Sequence, residues 1–188
     1  IAASWAGGSV VTTSSLRPSR WIQLIEEYNV DHIYALPTKL RLLVRHCKNK
    51  LSSIKYIIAG SQVLDRQLME QLQHICPDME FILYYGASEL NYITYCTGKE
   101  WLAREGTVGR PFPTVKIAEN DNVIYVTTNY RIEGIPNTYT VNDCGYTDSD
   151  GYLMFNGRAG DVINKGGYKI SIPEMELYLQ SIQGVSEV

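Results

Sequence analysis

The sequence predicts an α/β chain: a parallel sheet with flanking helices, then a small antiparallel β unit and the start of a second α+β domain. Three observations carry that expectation. Residues 9–84 alternate short apolar or β-branched runs with amphipathic helical stripes, the pattern of right-handed βαβ crossovers. Residues 92–155 hold short β-rich runs between Asn-, Asp- and Gly-containing turns, the pattern of antiparallel strands. A final helical stripe of Met175, Leu179 and Ile182 follows a glycine- and charge-rich stretch at 157–171.

The elements follow in order. Val10-Val11-Thr12-Thr13 is β-branched and reads as a first strand. Trp21, Leu24, Ile25 and Tyr28 recur at helical spacing after Pro18. Asp31 to Leu36 reads as a strand. Pro37 opens a helix whose face holds Leu40, Leu43, Val44 and Cys47, and proline suits a helix's first turn. Ile54 to Ala59 reads as a strand. Asp65 stands near the start of a helix, where negative charge complements the dipole. Leu64, Leu68, Leu72 and Ile75 form that helix's apolar stripe. Phe81 to Leu83 leads, as a strand, into Tyr84-Tyr85-Gly86-Ala87-Ser88-Glu89. Beyond it, Tyr92 to Cys96 is β-rich, Lys99 to Arg104 reads as an exposed connection, and Gly106 to Pro111 as a turn. Val115 to Ile117, Val123 to Thr128, Tyr139 to Val141 and Tyr152 to Phe155 complete the β unit.

Composition narrows the function classes. The chain has 188 residues and a net charge of −3 with scattered basic residues, which gives no electrostatic case for nucleic acid. No apolar run is long enough for a transmembrane segment, and the start at Ile1 lacks both Met and a basic leader. That start is expected of a fragment. Cys47, Cys76, Cys96 and Cys144 lie far apart, as do His32, His46 and His74. Neither set has metal-ligand spacing, and reduced thiols in a cytoplasmic setting are the simplest reading.

Tyr84 to Glu89 is the stretch with the most chemistry. In open α/β sheets ligands bind beyond the carboxyl ends of strands. An aromatic, a chain reversal at Gly86, the Ser88 hydroxyl and the Glu89 carboxylate would together suit a nucleotide phosphate with Mg²⁺. A loop that merely contains polar residues is the alternative. Gly60-Ser61-Gln62 follows the preceding strand, and in a parallel sheet the two loops would share one edge.

Four stretches in order carry a resemblance. They are Tyr84 to Glu89; Gly106-Thr107-Val108-Gly109-Arg110-Pro111; Val141-Asn142-Asp143-Cys144-Gly145-Tyr146 with Asp150-Gly151-Tyr152-Leu153; and Gly157-Arg158-Ala159-Gly160-Asp161 through Lys165-Gly166-Gly167-Tyr168 to Glu176. Together they resemble the adenylate-forming superfamily of acyl-CoA synthetases, luciferases and peptide-synthetase adenylation domains.

The resemblance implies an ATP-dependent ligase that joins a small-molecule carboxylic acid to AMP and then passes the acyl group to coenzyme A, with Mg²⁺. It implies catalytic roles for Ser88 and Glu89, with Glu89 on the metal. It implies nucleotide contacts from Gly60, Ser61, Tyr84, Tyr85, Gly86, Ser88, Asp143 and Arg158, a hinge at Gly160, and coenzyme A near Gly167. The corresponding domain expectation is a large domain over 1–157, with an α/β portion to about 105 and a β portion over 106–157. The hinge and the start of a small domain would occupy 158–188. An adenylation domain that loads a carrier protein, and a degenerate, non-catalytic nucleotide-binding protein, are the rivals.

The chain also departs from the family pattern. Thr12 to Pro18 has hydroxyls but neither the glycines nor the lysine of a phosphate loop. Val141-Asn142-Asp143 stands where Thr-Gly-Asp is usual. With no phosphate loop and no late catalytic lysine in these residues, the isolated chain is expected to be inactive.

Overall fold

The computed structural model describes residues 3, 6–60, 64–104, 106–165, 168–182 and 185. The chain divides into two compact units, Ile1–Tyr85 with Cys96–Ala103, and Gly86–Tyr95 with Arg104–Val188.

The first unit is a parallel sheet with helices. Its helices are α1 (Pro18–Glu27), α2 (Pro37–His46), α3 (Arg66–Ile75) and α4 (Gly98–Ala103). Its strands are β1 (His32–Tyr34), β2 (Tyr56–Gly60) and the part of β3 (Glu80–Ala87) that runs to Tyr85. They lie in the order β1-β2-β3, all parallel. Pro18 and Pro37 sit in the first turns of α1 and α2, where no amide hydrogen bond is lost. Asp65 is the N-cap of α3 and accepts from the Leu68 amide at 2.7 Å.

Side chains alternate across these strands. Ile57 and Ala59 on β2, with Phe81 and Leu83 on β3, face a buried cluster that includes Ile25, Leu40, Leu43, Leu68, Met69 and Leu72. The register puts His32, Tyr34, Tyr56, Ile58, Gly60, Ile82 and Tyr84 on the opposite face.

Four local expectations before Gly106 need correction. Val10 to Thr13 forms no strand, and Val10 is 58% exposed; β-branched residues favour a strand only where a neighbouring edge receives them. Tyr28 leaves the apolar stripe because α1 stops at Glu27, and Asn29, at φ 53°, turns the chain away in a left-handed cap. Residues 99–104 are not a bare connection. The Thr97 hydroxyl accepts from the Glu100 amide and the Glu100 carboxylate accepts from the Thr97 amide at 2.8 Å. That reciprocal box starts α4. Finally, β3 does not stop at Leu83 but runs on to Ala87.

The second unit is antiparallel. Its strands are β4 (Asn91–Thr97, to Tyr95 in this unit), β5 (Thr107–Pro111), β6 (Lys116–Asn120), β7 (Val123–Thr127), β8 (Thr138–Tyr139), β9 (Asp143–Thr147) and β10 (Leu153–Arg158). They pair in the order β4-β5-β10-β9-β7-β6, with β8 on β7. Asp121 and Asn122, at φ 51° and 64°, make the tight turn between β6 and β7, a conformation that Asn and Asp tolerate better than other side chains. The Gly106 to Pro111 stretch, expected as a turn, is largely strand β5, held by Leu153 and Met154 of β10. Leu90, Ile93, Ile124, Val126 and Leu153 are fully buried. A hairpin of β11 (Val162–Lys165) and β12 (Tyr168–Ser171) then leads into α5 (Ile172–Ser181).

Candidate functional site

In the first unit, Gly60 closes β2 directly opposite Tyr84 of β3. A Cβ at position 60 would lie 2.5 Å from the Tyr84 carbonyl oxygen and 2.7 Å from its Cζ. Glycine is required there, and the space it leaves is taken by the Tyr84 ring. Tyr34 of β1 completes the arrangement. Its ring stacks on that of Tyr84 with centroids 5.8 Å apart and planes 14° off parallel, and the two hydroxyl oxygens are 2.5 Å apart. The tyrosines of two outer strands thus meet over the middle strand where it carries no side chain. Tyr85, half-buried, leaves β3 on the face opposite Tyr84. Ser61 lies outside the described residues.

In the second unit, Gly86 and Ala87 finish β3 and residues 88–90 turn the chain. A Cβ on Gly86 would run into the Asn91 carbonyl oxygen, so glycine allows the strands on either side of the turn to approach. The Leu90 amide donates to the Ala87 carbonyl at 3.1 Å, and the Ile132 amide donates to that of Glu89 at 3.0 Å. Leu90 is buried and pins the turn, while Ser88 is exposed and Glu89 half-buried. Among the described residues no group of three or more His, Cys, Asp or Glu side chains gathers to hold a metal ion. A lone carboxylate fits Mg²⁺ all the same, because that ion keeps water and substrate phosphate as most of its ligands.

Asp143 and Arg158, chosen separately in the sequence, are brought together. They are partners across β9 and β10, beyond an irregularity in register after Phe155. Arg158 Nε donates to Asp143 Oδ1 at 2.9 Å. The acid's side chain is 6% exposed and the guanidinium's is 62%. Asn142, at φ 63°, and its carbonyl, which accepts from the Ala159 amide at 2.7 Å, bind the two strand ends together. Gly160 follows at φ 111° with open space around it. Gly167 lies outside the described residues.

Sequence reading missed two features. From the sequence Tyr34 reads only as a strand residue, and nothing local marks it, since its meeting with Tyr84 depends on the register of β1 on β2. The second is a clasp in the second unit. Arg104 bonds both Asp148, at 2.7 Å, and Asp150. The Arg104 and Arg110 guanidinium groups lie 4.4 and 4.3 Å from the Tyr152 ring centroid. Asp148 also forms the turn: its Oδ1 accepts from the amides of Asp150 and Tyr152, both at 2.9 Å. A cavity of about 390 Å³ beside α2 and α3, lined by Arg45, Cys47 and His74 among others, includes no residue of the four motifs.

A parallel βαβ unit joined in sequence to an antiparallel β unit defines the class of fold. The chain shares it with O-succinylbenzoate coenzyme A synthetase from Bacillus subtilis in complex with ATP and magnesium ion. That match has a TM-score of 0.84 and 23% identity over 96% of this chain and 42% of the other. It also shares it with the amide bond synthetase McbA from Marinactinospora thermotolerans, at a TM-score of 0.78 and 21% identity over 96% of this chain and 42% of the other. The sequence is more specific: the family model for AMP-binding enzymes matches residues 1–128, and the chain belongs to that family. Among curated relatives it is similar to the uncharacterized acyl-CoA ligase YhfT of Bacillus subtilis, 26% identical over 92% of this chain and 40% of the relative. It is similarly related to the mitochondrial acyl-coenzyme A synthetase ACSM3 of Homo sapiens, 26% identical over 97% of this chain and 36% of the relative. The chain therefore spans about two-fifths of the length of the curated relatives it matches. No helix among the described residues is long and apolar enough to cross a membrane.

Proposed function

We propose that these residues come from an ATP-dependent carboxylic acid–coenzyme A ligase. The observation that carries the nucleotide part of this reading is the Asp143–Arg158 pair. A buried carboxylate fixed by an exposed guanidinium offers an oriented acceptor with a cation beside it. That suits vicinal ribose hydroxyls next to a phosphate. The ligase part rests on the family match and on relatives that are acyl-CoA ligases.

In this reading Asp143 accepts from the ribose hydroxyls and Arg158 reaches ribose or phosphate. Tyr85 lies against adenine, Gly60, Ser61, Tyr84 and Gly86 contribute further nucleotide contacts, and Ser88 donates to a phosphate oxygen. Glu89 would hold Mg²⁺, which when bound neutralises phosphate charge. The carboxylate oxygen of the acid attacks the α-phosphorus of ATP and pyrophosphate leaves. A thiol then attacks the acyl carbon and AMP leaves. Oriented donors and cations lower such barriers because charge develops where they point. Gly160 serves as hinge, its positive φ and open surroundings leaving room for large backbone rotation. Gly167 stands by the coenzyme A thiol arm. Four free cysteines support a reducing, cytoplasmic setting.

The test uses the open reading frame that carries these residues. It should catalyse carboxylate-dependent exchange of pyrophosphate into ATP, followed by thioester formation with coenzyme A. The purified 188-residue chain should not. Tight ATP binding by the whole protein without exchange for any carboxylate would instead favour a non-catalytic nucleotide-binding protein. Thioester formed only on a carrier domain would favour the carrier-loading rival.

A further inference from the structure

We infer that Asn91 and Arg131 are positioning residues for the turn that carries Ser88 and Glu89. The inference rests on the reading that this turn faces nucleotide phosphate and Mg²⁺. A carboxylate that shares such a metal mainly with water and phosphate is not aimed by other protein ligands. Its direction depends on what fixes the backbone beneath it, as the groups behind a metal ligand set its orientation. Within the turn, the Leu90 amide donates to the Ala87 carbonyl. The Glu89 peptide is held from outside, by the loop over residues 128–137.

That loop reaches the turn at two points. The Ile132 amide donates to the Glu89 carbonyl at 3.0 Å, and the Asn91 side-chain amide donates to the Tyr130 carbonyl. Asn91 opens β4 at φ 56°, a left-handed conformation that asparagine adopts more readily than most side chains. Apolar burial does not hold the loop, since Tyr130 and Ile132 are 51% and 48% exposed. Hydrogen bonds hold it instead. Arg131 Nε donates to the Ile135 carbonyl at 2.8 Å, and Arg131 Nη1 donates to the Thr128 carbonyl at 3.0 Å. The Thr128 hydroxyl accepts from the Tyr130 amide at 3.0 Å. Arg131 thus directs its charge at two neutral carbonyls of its own loop and closes that loop into a splint. Asn91 fastens the splint to the turn, and the Ile132 amide fixes the Glu89 peptide. All of these residues belong to the second unit.

The experiment uses the ¹⁵N-labelled chain with ATP and Mn²⁺, an ion that shares the oxygen ligands of Mg²⁺ and broadens nearby amide signals. In wild type Ser88, Glu89 and Leu90 should broaden with Mn²⁺ and ATP but not with Mn²⁺ chelated by EDTA. Asn91→Gly keeps the left-handed backbone and removes the donor to Tyr130. Arg131→Met keeps an unbranched side chain and removes both of its bonds. Each should raise the Mn²⁺ concentration for half-maximal broadening about tenfold, the lower end for loss of a group that orients a metal ligand. Each should also speed hydrogen exchange at the Ile132 amide. Asn91→Gly, the milder change, carries the test if Arg131→Met does not fold. Asn29→Gly removes another left-handed asparagine side chain, beyond the end of α1, and should change neither readout. Faster exchange at Ile132 with an unchanged Mn²⁺ response would show that the loop serves stability alone, and would overturn the inference. Unchanged exchange at Ile132 would overturn it as well. A parallel AMP titration, read at Asp143 and Ala159, reports the ribose part of the nucleotide reading separately. Shifts there with no Mn²⁺ broadening in wild type would overturn the inference alone, and silence in both would remove the nucleotide reading and the inference with it.

Discussion

Asp143 and Arg158 lie fifteen residues apart in sequence and meet at 2.9 Å, the acid almost wholly buried and the base mostly in solvent. The asymmetry separates two roles. The carboxylate is fixed by the fold, whereas the guanidinium keeps a solvent-facing edge.

Asp143→Asn should accordingly separate stability from binding. The Arg158 side chain is 62% exposed, so loss of the charged hydrogen bond should cost about 1.5 kcal/mol of stability, the low end for such bonds, read by urea unfolding. AMP affinity should fall roughly tenfold, as expected when a charged acceptor becomes a neutral one.

Gly60→Ala should be far more harmful than its small volume suggests. The new methyl would meet the Tyr84 carbonyl oxygen, a backbone atom that cannot swing aside, at 2.5 Å. Forcing β2 and β3 apart should cost about 1–3 kcal/mol, seen as a lower urea midpoint. Gly151→Ala, with positive φ but open space around it, should cost about 1 kcal/mol, from backbone strain alone.

The buried thiols should make the fold sensitive to alkali. Burial pushes Cys76 and Cys96 from the ordinary 9.0 up to about 12. Between those values the unfolded chain has lost protons that the folded chain keeps. Stability is therefore fully present below pH 9 and falls as pH rises toward 12, by up to about 1.4 kcal/mol per pH unit for each thiol. Cys76→Ala and Cys96→Ala should each flatten that limb. In the folded protein neither thiol should react with Ellman's reagent at pH 8.

At the other end of the scale, the Tyr152 amide, foremost among its partners, holds the Asp148 carboxyl below its usual 3.8. A depressed carboxyl stabilises the fold above the unfolded value and loses that contribution as pH falls through the folded one. Asp148→Asn should lower the melting temperature at pH 7 and remove part of its decline below pH 4.

What was legible depended on whether a residue's partners were near in sequence. Pro18, Pro37 and Asp65 act within one helical turn, and all three mark helix starts as expected. The Leu68–Leu72–Ile75 stripe needed only a buried face to meet. Val10 and Val11 show the reverse: their β preference was real, but no strand edge receives them. Thr97 and Glu100 hid a capping box inside a run that looked merely charged. The site divided in the same way. Tyr84, Asp143 and Arg158 could be selected by residue type and motif order. That Tyr84 meets Tyr34 over Gly60, and Asp143 meets Arg158, follows from strand register and from an irregularity in β10, which no local pattern encodes.

The nucleotide reading is tested most directly by titrating the ¹⁵N-labelled chain with AMP and following the amides of Asn142, Asp143, Cys144 and Ala159. The account predicts saturable shifts at these positions that disappear in Asp143→Asn while the variant stays folded. No shift there at millimolar AMP, or an undiminished shift in the variant, would contradict it.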